Sequence, residues 1–506
     1  MRLERMIVRG EVWRAFYQDS MVLMHMAQQI RGLPGVREAA ALMATPANQE
    51  LLASAGLTIP ESKDAAPGDL VLVVAAETEG AADAALAAAR GLFEERQRVH
   101  QASGRALPRT LESALRALPE ANLAAISVPG AYAALEATTA LRRGLHVFLF
   151  SDNVSLEDEV RLKQLALGKR LFCMGPDCGT AYINGIGLGF ANVVPRGRIG
   201  CVAASGTGLQ AVASHLAALG EGISHGIGVG GRDLSAEVGG AMTTFALEAL
   251  AADPATEVIV VISKVPAPRV MPILESALRA VAKPVVVCCM GAAARTEPGV
   301  WVATLDEAAE AAAAVAKGRT WTRRVFSDPA AVRARLSALG AARLGRVLLG
   351  LYTGGTLAQE ASLVIEPLVG AQRIIDLGAD EFTRGRPHPM LDPSLRDAKI
   401  REAASSPEIG VILLDVVLGR AAHPDPARSL SAAIRDARTV AERQGRSLPV
   451  VASVVGTAGD PQGLANQIAL LEAAGVTVLP SNAQAARFAA LALRPDQAPA
   501  LLAEAR

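Results

Sequence analysis

Short apolar runs alternate with amphipathic helical stretches along almost the whole chain. Runs such as "VLVVAA", "VIVVIS" and "VILLDVV" have the length and β-branched content of buried strands. Most are followed by a stretch in which apolar residues recur with the period of a helix. Alternation of this kind predicts an α/β protein with parallel sheets covered by helices.

The same pattern divides the chain into four predicted domains. A small N-terminal α+β module covers residues 1–115, and a partial Rossmann-like domain covers residues 116–192. Two flavodoxin-like domains follow at residues 193–325 and 340–506. Each begins with a strand, a turn rich in glycine and hydroxyl groups, and a helix, in "VAASGTGLQAVAS" and "LYTGGTLAQEAS". The repeat indicates an internal duplication of one domain.

Composition narrows the classes of function. Lys+Arg and Asp+Glu number 50 each, and this zero net charge argues against a general nucleic-acid surface. The sequence shows no apolar run of membrane-helix length and no signal peptide. The five cysteines lack CxxC pairs and metal-site spacing, so we expect reduced thiols, no metal and a cytoplasmic protein.

The turn "SGTG" lies between a predicted strand and a predicted helix. A helix N-terminus offers unpaired N–H groups and a positive dipole end, and glycine lets a ligand approach closely. Phosphate, carboxylate or a developing oxyanion would fit, although Ser205 alone could simply cap the helix. The second copy of the turn favours ligand binding by at least one of them. The candidate phosphate-binding residues are Ser205, Gly206, Thr207, Gly208, Thr353, Gly354, Gly355 and Thr356.

Several longer motifs resemble the succinyl-CoA synthetases and NDP-forming acyl-CoA ligases. They include "GRIGCVAASGTGLQ", the "GPDC" turn, "IIDLGADEF" and "VILLDVVLG". Over nearly its full length the chain resembles the FdrA family of that superfamily, through motifs such as "FYQDS", "MGPDCGT", "GGRDLS" and "GRPHPM". The resemblance implies Rossmann-like and ligase-type domains in the order given above.

The chain also departs from the ligases. The stretch "CMGAAARTEPGV", which matches their phosphohistidine loop, contains no histidine, and an ATP-grasp domain is missing. The FdrA resemblance implies a carbamoyltransferase subunit of allantoin and purine ureide catabolism. Such a subunit interconverts oxalurate and phosphate with oxamate and carbamoyl phosphate. An acyl-CoA ligase with a separate ATP-grasp partner, or a non-catalytic scaffold, are the alternatives.

The resemblance also bears on ligands and partners. It implies partner protein subunits, and we expect a homo-oligomer that takes a small oxamate- or oxalurate-like acid, with no nucleic acid and no membrane. Phosphate or carbamoyl phosphate would be a substrate, and no cofactor is assigned. CoA binding stays open, because the glycine-rich turn for CoA has no clear counterpart before residue 120.

Five further residues are candidates for chemistry. Lys264 ends the strand "VIVVISK", where it would favour a bound dianion or simply extend its charge into solvent. Arg232 could bind a substrate carboxylate through two hydrogen bonds, with Asp233 beside it, or Arg232 and Asp233 could form an ion pair that stabilises a loop. His388, between prolines in "GRPHPMLDP", is the candidate acid or base, with a structural imidazole as the alternative. Arg386 is the neighbouring candidate for substrate binding.

Overall fold

The structure, a computed structural model, describes residues 6–18, 20–102, 108–293, 295–339, 345–383 and 387–502. Contacts divide the chain into two compact units. One is Met1–Ala121 with Ala379–Asp392, and the other is Asn122–Gly378 with Pro393–Arg506. Among the described residues, no helix combines the length and apolar character needed to cross a membrane.

The first unit contains a three-stranded antiparallel sheet in the order β1-β3-β2. The central strand "LVLVVAA" is apolar at every position because both of its faces are buried, one of them beneath α1 and α3. This confirms the predicted α+β module. Its elements are β1 (Ile7–Trp13), α1 (Ser20–Arg31), β2 (Val36–Met43), α2 (Pro46–Ser54), a 3-10 turn (Pro60–Asp64), β3 (Leu70–Ala76), α3 (Glu79–Ala102) and α4 (Leu111–Ala117).

The second unit begins with a small parallel sheet in the order β4-β5-β6. Its helix α6 starts at a serine cap, where the Ser155 hydroxyl accepts from the Asp158 N–H at 3.1 Å. This is the predicted Rossmann-like arrangement. Its elements are β4 (Leu123–Ile126), α5 (Gly130–Arg142), β5 (His146–Leu149), α6 (Leu156–Gly168) and β6 (Cys173–Met174).

A seven-stranded sheet follows in the order β13-β12-β11-β9-β10-β7-β8. The hairpin β7-β8 precedes the predicted domain limit at residue 193, yet β7 pairs antiparallel with β10. The other five strands run parallel. The elements are β7 (Thr180–Ile183), β8 (Ile186–Gly189), β9 (Arg196–Ala203), α7 (Gly206–Ala218), β10 (Ile223–Gly228), α8 (Ala241–Ala252), β11 (Val258–Lys264), α9 (Met271–Ala280), β12 (Val285–Met290), β13 (Val300–Val302) and α10 (Leu305–Ala316).

The last sheet is parallel and five-stranded, in the order β15-β14-β16-β17-β18. It follows α11 (Pro329–Leu339). Its elements are β14 (Val347–Tyr352), α12 (Gly355–Ile365), β15 (Gln372–Asp376), α14 (Ser394–Ala404), β16 (Ile409–Val417), α15 (Pro426–Arg443), β17 (Val450–Val455), α16 (Leu464–Ala473), β18 (Val476–Leu479), α17 (Asn482–Leu493), a 3-10 turn (Pro495–Gln497) and α18 (Ala498–Leu501). Helix α13 (Asp380–Thr383) belongs to the first unit.

The two larger sheets share one topology. Numbered within each parallel set, the strands run 2-1-3-4-5, which is the flavodoxin-like order. In this order the connections from strands 1 and 3 leave the sheet in opposite directions, and the crevice between them is the usual ligand site. The α/β fold class with parallel sheets is confirmed. The expected ligand site of each sheet lies at the carboxyl ends of its strands 1 and 3, which are β9 and β11 in one sheet and β14 and β16 in the other.

Candidate functional site

The two glycine-rich turns lie against each other. Helices α7 and α12 pack together, and the hydroxyl oxygens of Ser205 and Thr356 are 2.5 Å apart. A Cβ added to Gly354 would lie 2.9 Å from Cγ2 of Thr207. The N-termini of two helices, one from each flavodoxin-like domain, therefore meet at one place.

The first turn is a capped helix start. The Ser205 hydroxyl accepts from the Gly208 N–H at 2.9 Å, and a side chain on Gly208 would collide with it. Gly208 was predicted to bind phosphate, but its N–H is used internally and its missing side chain makes room for Ser205. The N–H groups of Gly206 and Thr207 belong to the first helical turn, which has no intrahelical acceptors for them. Both residues are partly exposed.

The second turn already holds a carboxylate of the protein. Asp415, fully buried in β16, accepts from the Thr353 N–H at 2.8 Å, the Thr353 hydroxyl at 3.0 Å and the Gly354 N–H at 2.8 Å. Arg396 lies 3.1 Å from the same carboxylate. Thr353 and Gly354 are therefore corrected from ligand donors to partners of Asp415. Gly355 and Thr356 begin α12, which has no side-chain cap.

Lys264 and Asp376 lie beside the turns, and Asp376 was not predicted from the sequence. Lys264 ends β11 with an exposed side chain, and Asp376 ends β15 half-buried. The Asp376 Oδ1 accepts from the Gly378 N–H at 2.9 Å, and its Oδ2 lies 2.5 Å from where a Cβ on Gly355 would stand. Burial raises the pKa of Asp376, as does Asp415, whereas Lys264 is close enough to oppose the shift.

Arg232 and Asp233 belong to a buried ion network instead. Lys163 donates to Asp233 at 2.8 Å and to Glu159 at 2.7 Å, and Arg232 donates to Glu159 at 2.7 Å. Asp233 also accepts from two N–H groups of the first turn of α8. With no exposed surface and hydrogen bonds from Lys163, these two N–H groups and the Thr243 hydroxyl, Asp233 cannot reach a substrate, which corrects its assignment. The Arg232 side chain is held by Glu159 but stays 46% exposed.

The histidine candidate lies in a different compact unit from the turns. His388 is in the segment that groups with the N-terminal module, and its Nδ1 accepts from the Met390 N–H at 3.2 Å. Burial lowers its pKa to about 4, so near pH 7 the imidazole is neutral, cannot serve as a general acid and is a weak base. This favours the structural alternative. Arg386 lies outside the described residues.

A second buried carboxylate lies deeper on α12. Glu360 accepts from the Leu305 N–H at 2.6 Å and from the Asn482 side-chain amide at 2.8 Å. Nearby, the Ser481 hydroxyl donates to Asp306 at 2.6 Å. Burial, with Asp306 nearby, raises the pKa of Glu360 to about 7. These groups join α10 of one flavodoxin-like domain to α12 and α17 of the other.

Comparisons with solved structures give weak overall matches. The dinucleotide-forming acetyl-coenzyme A synthetase 1 of Ca. Korarchaeum cryptofilum is 18% identical with a TM-score of 0.30, and covers 76% of this chain and 85% of its own. PH0766 of Pyrococcus horikoshii OT3 is 16% identical with a TM-score of 0.33, and covers 76% and 86%.

Two family models match the chain. CoA-ligase matches residues 351–492, and the AllF heavy metal-associated domain matches residues 6–108. The second description implies a metal, but residues 6–108 contain no cysteine. Among the described residues, no group of three or more His, Cys, Asp or Glu side chains is placed to hold one. The residues present do not fit a heavy-metal site, and no step is assigned to a metal.

One relative matches the chain over most of its length. The uncharacterized protein YahF of Escherichia coli (strain K12) is 39% identical over 497 residues, covering 92% of this chain and 95% of YahF. Identity at this level over almost the whole length extends through both matched regions. The chain therefore belongs to the family of YahF, with an AllF-type domain at its N-terminal end and a CoA-ligase-type domain at its C-terminal end.

Proposed function

We propose that this protein is a carbamoyltransferase subunit that interconverts oxalurate and phosphate with oxamate and carbamoyl phosphate, together with partner subunits. The observation that carries the proposal is the meeting of two helix N-termini beside Lys264. First-turn N–H groups and an ammonium together favour a dianion such as phosphate. The AllF-type domain, which takes its name from an allantoin-related protein, supports the ureide substrate class.

The missing phosphohistidine supports direct use of a phosphorylated substrate. The loop after β12, "CMGAAARTEPGV", contains no histidine that could carry a phosphoryl group between two reactions. The anion site formed by Ser205, Gly206, Thr207, Gly355 and Thr356 survives without it. A site that binds phosphate but lacks a covalent carrier suits attack by free phosphate, or its departure from carbamoyl phosphate.

The remaining roles follow from charge. Donors at Gly206 and Thr207 stabilise the negative charge that grows on phosphate as the bond to the carbamoyl carbon breaks. Lys264 lies at the exposed edge of the site and balances that charge. Arg232 uses its Nε on Glu159 and its Nη2 on the Val154 carbonyl, and its Nη1 is the candidate donor to the oxamate carboxylate.

The decisive test is phosphorolysis of oxalurate by this chain purified with the proteins encoded beside it. Ser205→Ala removes a hydroxyl at the anion site, and we expect kcat to fall about 100-fold, as for loss of one oxyanion donor. Ser155→Ala is the matched control, since it removes the same kind of helix cap from α6. Equal activity of both variants and the wild type would contradict the proposal.

The CoA-ligase match favours one other function, an acyl-CoA ligase that works with a separate ATP-grasp chain. That reaction would yield a CoA thioester from an acid, CoA and ATP. Thioester formation by the purified complex, without phosphorolysis of oxalurate, would replace the carbamoyltransferase. If Ser205→Ala leaves both phosphorolysis and thioester formation unchanged, the result would instead favour a scaffold role for this chain.

A further inference from the structure

We propose that Asp376 is the proton-transferring group of this site, taking the proton of bound phosphate and delivering it to the leaving amide nitrogen. This inference rests on the proposed carbamoyl transfer. It adds a residue that neither the turn motifs nor the family matches single out, and it assigns that residue a reacting atom, Oδ2.

The geometry leaves that atom available. Asp376 ends β15, the strand beside β14 in the sheet, so its carboxylate lies at the edge that carries the second turn. Oδ1 is fixed by the Gly378 N–H at 2.9 Å. Oδ2 has no hydrogen-bond partner among the residues that the structure describes, and it faces Gly355, where only a missing side chain leaves room for it.

Two charged groups act on this carboxylate. Lys264, at the end of β11, favours its ionised form, and Asp415 opposes it from β16. Arg396 and the N–H groups of the second turn partly offset the charge of Asp415. The start of α12 adds a positive dipole end. Asp376 is half-buried, and its neighbours shift its pKa in opposite directions. Burial raises that pKa, and a raised pKa suits a carboxylate that must gain and lose a proton.

The proposed step balances. In phosphorolysis, an oxygen of hydrogen phosphate attacks the terminal carbamoyl carbon of oxalurate, and its proton passes to the Asp376 carboxylate. The bond between that carbon and the internal nitrogen then breaks, and the protonated Asp376 gives its proton to the nitrogen. The products are carbamoyl phosphate and oxamate, and Asp376 is ionised again. The reverse reaction uses the same proton in the opposite direction.

Binding of inorganic phosphate tests the carboxylate without relying on turnover. At pH 8 phosphate is mostly hydrogen phosphate, whose proton can bridge one of its oxygens and the Asp376 carboxylate, whereas sulfate has no proton to share and would leave two like charges in contact. Calorimetry should therefore show that the wild type binds phosphate more tightly than sulfate, and that Asp376→Asn loses this preference because an amide can donate to either anion. Asp436→Asn, which alters an exposed ion pair with Arg401, should behave as the wild type does. An equal preference for phosphate in wild type and Asp376→Asn would overturn the proposal.

Kinetics of the reconstituted complex separate this inference from the proposed function. We expect Asp376→Asn to lower kcat for phosphorolysis at least 100-fold, in the range typical of general acid–base groups, without raising the KM for phosphate. In Lys264→Met, loss of the ammonium should move the Asp376-dependent limb of the pH profile to higher pH. If wild type is active and Asp376→Asn matches it, Asp376 has no such role. If the wild type is inactive, the proposed function fails, but the calorimetry still shows whether Asp376 contacts bound phosphate.

Discussion

Glu360 and Asp415 are fully buried carboxylates of the second flavodoxin-like domain, and their surroundings differ. Burial raises the pKa of Asp415, and the hydrogen bonds from the second turn and the facing Arg396 only partly oppose that shift. Glu360 accepts two hydrogen bonds, and both burial and the nearby Asp306 raise its pKa. The residue type alone predicts neither environment, because each depends on groups far away in the sequence.

Glu360 gives a testable dependence of stability on pH. Its folded-state pKa of about 7 exceeds the ordinary 4.5, so the folded protein holds the proton more tightly than the unfolded chain. The resulting stabilisation is complete below pH 4.5 and is lost as the pH rises through 7. We expect this loss to reach up to about 3 kcal/mol, measured by urea unfolding between pH 5 and 8.

The matched variant isolates this contribution. Glu360→Gln does not titrate, so the difference in unfolding free energy between wild type and variant should change across that pH range. Glu408→Gln alters an exposed carboxylate that pairs with Arg373, and should leave the pH dependence as it is in wild type. Parallel curves for wild type and Glu360→Gln would contradict the assigned pKa.

At the scale of elements, local sequence signals predicted most strands and both glycine-rich turns. Helix α7 nevertheless begins at Gly206, inside the "SGTG" segment that was predicted as a turn preceding the helix. Glycine and threonine are poor helix formers, and the Ser205 cap supplies the start that their propensity does not. Asp376 was not predicted because its position beside the second turn depends on the pairing of β15 with β14, which no local pattern reveals.

The contact between the two turns depends on a glycine. Gly354 has an ordinary φ of −109°, so alanine fits its backbone, but the added methyl would meet Thr207 at about 3 Å. We expect Gly354→Ala to separate the helix ends and weaken phosphate binding about tenfold, measured by calorimetry. Gly370→Ala is the control, because nothing lies within 4 Å of a Cβ there. Unchanged affinity in Gly354→Ala would show that the contact is not needed for binding.

At the scale of the second unit, one buried carboxylate ties its two flavodoxin-like domains together. Asp460 accepts from the Asn192 side chain at 2.8 Å, from the Val193 N–H at 2.7 Å and from the Thr457 N–H at 2.7 Å. Asn192 and Val193 lie between β8 and β9, before the first of these domains begins its parallel strands. The duplication itself was predictable from the sequence, whereas this tie was not, because it joins residues 268 positions apart.

Removing that tie should cost stability. Asp460→Ala leaves three donors without their acceptor, and we expect the unfolding free energy to fall by about 3 kcal/mol in urea titrations, since a buried unsatisfied group typically costs 1–3 kcal/mol. Asp496→Ala, which breaks an exposed pair with Arg494, is the control and should change stability little. If Asp460→Ala unfolds at the same urea concentration as the wild type, water replaces the carboxylate without loss of stability.

The two copies of the domain are covalently continuous, so their facing helix ends meet within one molecule. Their encounter is a first-order event with an effective concentration set by the connecting chain. Dilution therefore cannot separate the two turns. Phosphate affinity of the isolated chain should consequently be the same at nanomolar as at micromolar protein.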